Sequence, residues 1–149
     1  MSGLNTKRSK QNKIFQRILF TGFDKQMLPL LKKTAYFTLK FEKIKNCDIS
    51  FTMISDQDIK KMNRKYRNTN RITDVISFLV SKENFLGDIY ISKNRPKKNA
   101  KKYGFTYRHE LCYLIIHAIL HLEGYTDYDF ESKSLMFARQ DKIFKCLFS

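Results

Sequence analysis

Two histidines four residues apart, His117 and His121, interrupt an apolar run, and Gly124 and Asp127 follow them in the segment HAILHLEGYTD. On an α-helix, positions four apart share one stripe, so the two imidazoles project together and can grip a single ion. Gly124 stands where a left-handed turn would end that helix, and the reversing chain can return Asp127 to the same stripe as an oxygen ligand. Three protein ligands and an open fourth position describe a catalytic zinc site better than a structural one. The competing reading is an ordinary core helix, because histidine pairs on apolar helices are more often packed or solvated than metal-bound. Gly124 alone is equally a plain cap. The combined spacing is what favours metal.

The same spacing occurs in the metzincin proteases, whose pattern H-E-x-x-H-x-x-G-x-x-H supplies a glutamate after the first histidine as general base. Here that position is Ala118, so the usual activation of water for peptide hydrolysis is missing and a protease is disfavoured. Cys112 lies off the stripe of His117 and is not a ligand candidate.

The elements that must position this helix follow from periodicity. The first dozen residues carry no pattern and read as flexible. Residues 15–20 form a short strand. Residues 25–41 form a helix with Leu28, Leu31, Ala35, Thr38 and Leu39 near one face, where Pro29 is tolerated because it lies in the first turns. Residues 47–54 alternate Ile49, Phe51 and Met53 as a strand does. Ser55 followed by Asp58 starts a helix that runs through Ile59, Met62 and Tyr66 to Arg67. Residues 75–80 and 86–92 are the two strands of a hairpin, and a basic loop or helix comes next. The histidine helix spans residues 106–123. A last helix starts near Asp129 and places Leu135, Met136, Gln140, Ile143, Phe144 and Leu147 at helical spacing. Strands that do not strictly alternate with helices predict an α+β fold. It consists of a small mixed sheet of about four strands packed with about five helices, in one domain over residues 1–149, with the metal site at the end of the histidine helix.

Twenty-nine Lys and Arg against fourteen Asp and Glu give a net charge of +15, which calls for an anionic partner, nucleic acid or an acidic membrane surface. Residues 1–17, 59–73 and 89–109 hold five, six and seven cations and no acid, so the charge forms basic surfaces rather than uniform drift. Three widely spaced cysteines read as free thiols in a reducing compartment. The longest apolar run, residues 111–122, falls short of the roughly 20 residues needed to cross a membrane, and no apolar signal segment follows the basic start. A cytoplasmic protein without a membrane span is expected.

HAILHLEGYTD resembles the metal motif of the YbeY endoribonucleases, the rRNA maturation factors, whose pattern is H-G-x-L-H-L-x-G-Y-D-H; it agrees at His117, Leu120, His121, Leu122, Gly124 and Tyr125. MNRKYRNTNRITDVISF is similar to that family's N-x-x-Y-R followed by T-D-V-L-S-F, LGDIYIS to its L-G-D-I strand, and LMFARQ to its C-terminal pattern. Together these cover about residues 49–143. The chain departs at Ala118, where the family has glycine, at Ile72 and Leu79, where it has prolines, and at Asp127, where its third metal histidine falls. Carboxylate is an acceptable zinc ligand, although its charge weakens the ion's pull on bound water. Asp129 or a water is the alternative third ligand, and another divalent metal the alternative to zinc.

The resemblance implies a metal-dependent endoribonuclease specific for single-stranded RNA. It would act in maturation of the small-subunit rRNA 3′ end and in ribosome quality control, with the small ribosomal subunit and assembly factors as partners. One zinc ion would be held by His117, His121 and Asp127. His117 and Arg67 would be the catalytic residues, the Arg67 guanidinium matching two phosphate oxygens. The RNA would lie along Arg64, Lys65 and Arg71 and along Lys97, Lys98, Lys101 and Lys102, with Tyr66, Tyr103 and Phe105 available to stack on bases. Outside the resemblance, Arg67 reads as a solvated helix-end cation and these aromatics as packing. Asp74 and Asp88 are placed near the site by the resemblance alone. The second expectation is a non-catalytic RNA-binding assembly factor with a weakened metal site. No residue pattern sets the oligomeric state.

Overall fold

In a computed structural model, which describes residues 14–67 and 73–149, every one of these periodicities becomes an element. Along the chain they are β1 (Gln16–Thr21), α1 (Leu28–Phe41), β2 (Cys47–Ile54), α2 (Asp56–Arg67), β3 (Val75–Ser81), β4 (Leu86–Ser92), α3 (Arg95–Tyr103), α4 (Tyr107–Glu123) and α5 (Phe130–Leu147). The expected helix over residues 25–41 divides in two. Lys25–Met27 is a 3-10 turn capped by Asp24, and the α-helix proper begins at Leu28, just before Pro29. Proline has no N–H to give and its fixed φ suits a first turn, so the α-helix starts there. The expected cap of α2 is present, with the Asp58 N–H donating to Ser55 Oγ at 3.1 Å. The basic stretch after the hairpin is a helix, α3, with Pro96 in its first turn.

The fold is α+β. Its four-stranded sheet has the order β1-β2-β4-β3, with β1, β2 and β4 mutually parallel and β3 antiparallel to β4 as the expected hairpin. Parallel neighbours need crossovers, which α1 supplies between β1 and β2, and α2 with β3 supplies between β2 and β4.

Ten of the seventeen residues of α4 are buried, so the helix is apolar nearly all round and must be covered on several sides. Leu31, Ala35 and Leu39 of α1, Ile49 and Phe51 of β2, and Ile89 and Ile91 of β4 form the main core with its Leu111, Ile115 and Ile119. A second cluster joins Ile116 and Leu120 of α4 to Met136 and Ile143 of α5. A Cβ at Gly87 in LGDIYIS would lie 2.8 Å from Leu122 Cδ1 and 3.2 Å from the Phe78 carbonyl oxygen, so a larger residue there would have to push the Leu122 side chain aside. Arg139 of α5 donates Nε and Nη2 to the two carboxylate oxygens of Glu42 at 2.8 and 2.9 Å, tying α5 to the end of α1. Leu135, expected among the apolar positions of α5, is 62% exposed. One residue is about 100° of helix turn, which carries Leu135 off the stripe led by Met136. No helix among the described residues is long and apolar enough to cross a membrane. The N-terminal segment expected to be flexible lies outside the described residues.

Candidate metal centre

Helix α4 is fixed at both ends by its own sequence. At the start, Thr106 Oγ1 accepts from the His109 N–H at 3.1 Å. At the end, Gly124 takes the left-handed conformation, φ 112°, its N–H donating to the His121 carbonyl at 3.0 Å and that of Tyr125 to the Leu120 carbonyl at 3.1 Å. These are the paired bonds of a Schellman turn, which reverses the chain. The reversal brings Asp127 back over the histidines, and the candidate ligand atoms of His117, His121 and Asp127 all lie within 4.8 Å of one another. Bonds of about 2.0–2.2 Å to a shared ion would draw them slightly closer.

Hydrogen bonds determine the tautomers of the two rings. The Gln140 Nε2 donates to the Tyr113 carbonyl at 3.2 Å, so its Oε1 is the atom that meets His117 Nδ1 at 2.9 Å. His121 Nδ1 lies 2.9 Å from the Tyr125 carbonyl. Both partners are acceptors, so each Nδ1 carries the proton and each Nε2 keeps its lone pair for a ligand bond. Burial pushes the His117 pKa below the ordinary histidine range, against opposing pulls from the Gln140 hydrogen bond and the charges of Asp127 and Asp74. The ring is therefore neutral at neutral pH, the form a metal requires. The donor set of two neutral imidazoles and one carboxylate fits a zinc-type ion.

Asp129, the alternative ligand, is otherwise engaged. Its carboxylate accepts from the Ser132 N–H at 2.8 Å and from Ser132 Oγ at 3.2 Å, capping α5, and these bonds hold its pKa down. Cys112 is buried on another side of α4, its sulfur accepting from Thr34 Oγ1 at 3.3 Å.

The triad opens into a cleft of about 1130 Å³ walled by α3, α4 and α5 and the start of β3. Asp74 lines it and organises one wall, accepting from Arg95 Nε at 3.1 Å and Asn99 Nδ2 at 3.0 Å. Glu110 lines it too, and burial raises its pKa above the usual carboxylate range. Asp88 instead accepts from Ser50 Oγ at 2.7 Å across the β2–β4 pair and takes no part in the cleft. Of the cations expected to bind RNA, Lys102 lines the cleft, whereas Lys97, Lys98 and Lys101 are exposed on α3 outside it. Arg64 and Lys65 are exposed on α2, Arg64 beside Lys60 and Lys61 in a separate shallow patch. Arg67 ends α2 with its side chain outside the described residues, and Arg71 lies outside them altogether.

Residues 11–147 match the family model for endoribonuclease YbeY. The chain belongs to that family. An endoribonuclease YbeY of Endomicrobium trichonymphae is 58% identical over 131 residues, spanning 88% of this chain and 93% of that protein. One of Persephonella marina is 38% identical over 122 residues, 77% of this chain and 80% of its own. A Thermotoga maritima protein solved in solution superposes with a TM-score of 0.64 at 30% identity, covering 88% of this chain and 87% of that one.

Within this YbeY chain, the cleft contains residues that the sequence reading did not assign to the site, chiefly Gln140, Arg95, Lys133 and Lys145. Gln140 had a visible signal: it is a polar residue among Met136, Ile143 and Leu147 on the apolar stripe of α5, and it is 1% exposed. A buried amide of that kind has to be paired, and its partner is His117, a candidate ligand. The other three had no signal, because no local pattern tells which lysines and arginines of α3 and α5 face a shared cleft.

Proposed function

We propose that this chain is a metal-dependent endoribonuclease, folded as one domain, that cuts single-stranded RNA. The observation that carries this is the convergence of the candidate ligand atoms of His117, His121 and Asp127, all within 4.8 Å of one another, at a cleft edged by Arg95, Lys102, Lys133 and Lys145. A zinc ion held by His117, His121 and Asp127 would supply water of lowered pKa and positive charge beside the phosphate under attack. The protein's own residues do the rest. Gln140 and the Tyr125 carbonyl fix the orientation of the two rings, while Asp74 holds Arg95 so that its terminal nitrogens are left for phosphate oxygens. Lys102, Lys133 and Lys145 attract and hold the backbone of the strand, and Arg67 is the family's arginine at the end of α2. Family membership and the charge of +15 support ribosomal RNA as the substrate, with 3′-end maturation of small-subunit rRNA and ribosome quality control as the processes. In this reading the chain works in the cytoplasm with the small subunit and its assembly factors.

A second reading, an assembly factor that binds RNA without cutting it, is favoured by Asp127 standing where the family pattern has histidine. The two separate in one experiment, cleavage of an end-labelled single-stranded RNA by the wild-type chain and by His121→Ala, with and without chelator. Cleavage that disappears in the variant and in chelator is the expected result. Tight RNA binding without cleavage by either protein selects the assembly factor, and equal cleavage by both rejects the triad.

A further inference from the structure

Four rings stand in a row along the end of the cleft remote from the triad. Phe105 lies flat on His109 with centroids 4.2 Å apart and planes 7° from parallel, His109 meets Phe144 at 4.2 Å, and Phe144 meets Phe148 at 4.7 Å. The terminal rings, Phe105 and Phe148, are each 49% exposed, but only Phe105 lines the cleft. The backbone fixes Phe105 in place. It sits between Gly104, which ends α3, and Thr106, which caps α4, and its N–H donates to the Ala100 carbonyl at 2.8 Å. Lys102 and Lys145 border the same end of the cleft. Burial lowers the His109 pKa, so the ring behind Phe105 is neutral and adds no repulsion to theirs. Asp141, a carboxylate at this end, accepts from the Tyr113 hydroxyl at 2.6 Å.

We propose that Phe105, backed by His109, is a base-stacking subsite: an unpaired nucleobase of the RNA adds itself as the next ring, while adjoining phosphates meet Lys102 and Lys145. An aromatic face held rigid beside cations is how single strands are gripped without reading their sequence, because every base has a π-face. The occupant follows from continuity with the cleft of the triad and from the charge beside the ring. His109 and His117 are eight residues apart on one helix. At about 1.5 Å per residue that is about 12 Å, so the stacked base lies at a fixed, short offset from the bond that is cut. This inference rests on the nuclease reading and adds to it the place where the strand is anchored.

The test uses single-stranded RNAs that each carry one abasic nucleotide, cleaved by the full chain, by Phe105→Ala and by Phe105→Leu, with kcat/KM measured for each. At one offset, loss of the base is expected to cost the wild type about tenfold, within the roughly 5- to 150-fold that one stacked base can supply. Both variants are expected to lose a similar factor on intact RNA and to show no further loss at that offset, with Phe105→Trp restoring the penalty. Phe105→Leu keeps apolar bulk without a ring, which separates stacking from folding. Abasic penalties identical in wild type and variants at every offset would overturn the subsite, as would unchanged kcat/KM in Phe105→Leu. Absence of cleavage by the wild type counts against the nuclease reading alone, and the same RNA series read as binding affinity then decides the subsite by the same pattern.

Discussion

The two ends of α4 treat histidine differently. His109, near the start, is held by rings, flat on Phe105 and tilted against Phe144. His117 and His121, near the end, are held by their edges, each Nδ1 on an oxygen acceptor. From spacing alone the four positions 109, 113, 117 and 121 form one ladder at four-residue steps, with three histidines and Tyr113 on it. What separates a candidate ligand from a wall is the neighbour. An acceptor on Nδ1 fixes an imidazole's tautomer and orientation, whereas rings packed against an imidazole fix only its position.

That contrast can be broken most sharply at Gln140. Gln140→Leu removes the acceptor from His117, and metal titration of the purified chain should show affinity falling by about 10- to 100-fold with the fold intact. An unchanged affinity would mean that packing alone orients the ring. A smaller effect is expected at the other end of the helix, at Glu110, whose pKa burial raises. Below the ordinary carboxylate range the residue is neutral in both the folded and unfolded chain, so Glu110→Gln and wild type should unfold alike. As pH rises through and beyond that range the wild type must bury a charge, so the variant should become the more stable, by about 1–2 kcal/mol at mildly alkaline pH. Thermal unfolding across pH measures this, and a variant less stable at high pH would show that the charge is used in place. The smallest effect is expected for His109→Phe, where only a ring is needed. Its unfolding free energy should change by less than about 1.5 kcal/mol, and a larger loss would reveal a role for the imidazole nitrogens.

Much of this was legible because it is local. The alternation of Ile49, Phe51 and Met53 marks β2, Ser55 with Asp58 marks the start of α2, and Gly124 marks the turn that brings Asp127 back to the triad. The parallel pairing of β4 with β2 was not legible, since the chain between them folds into α2 and β3 and register is settled by tertiary packing. The cleft walls were hidden for the same reason. The cations of α3 look alike in sequence, yet Lys102 faces the cleft and Lys98 does not.

The turn at Gly124 has a further consequence for how chains of this kind can diverge. Within a few residues it caps α4, lends the Tyr125 carbonyl to His121 and delivers Asp127. A single inserted or deleted residue there would move the carbonyl and the carboxylate together. Length variation should therefore be tolerated in the hairpin loop of residues 82–85, whose tip faces solvent, and be purged from residues 121–127, so that a gap in that stretch marks a descendant that has given up the triad.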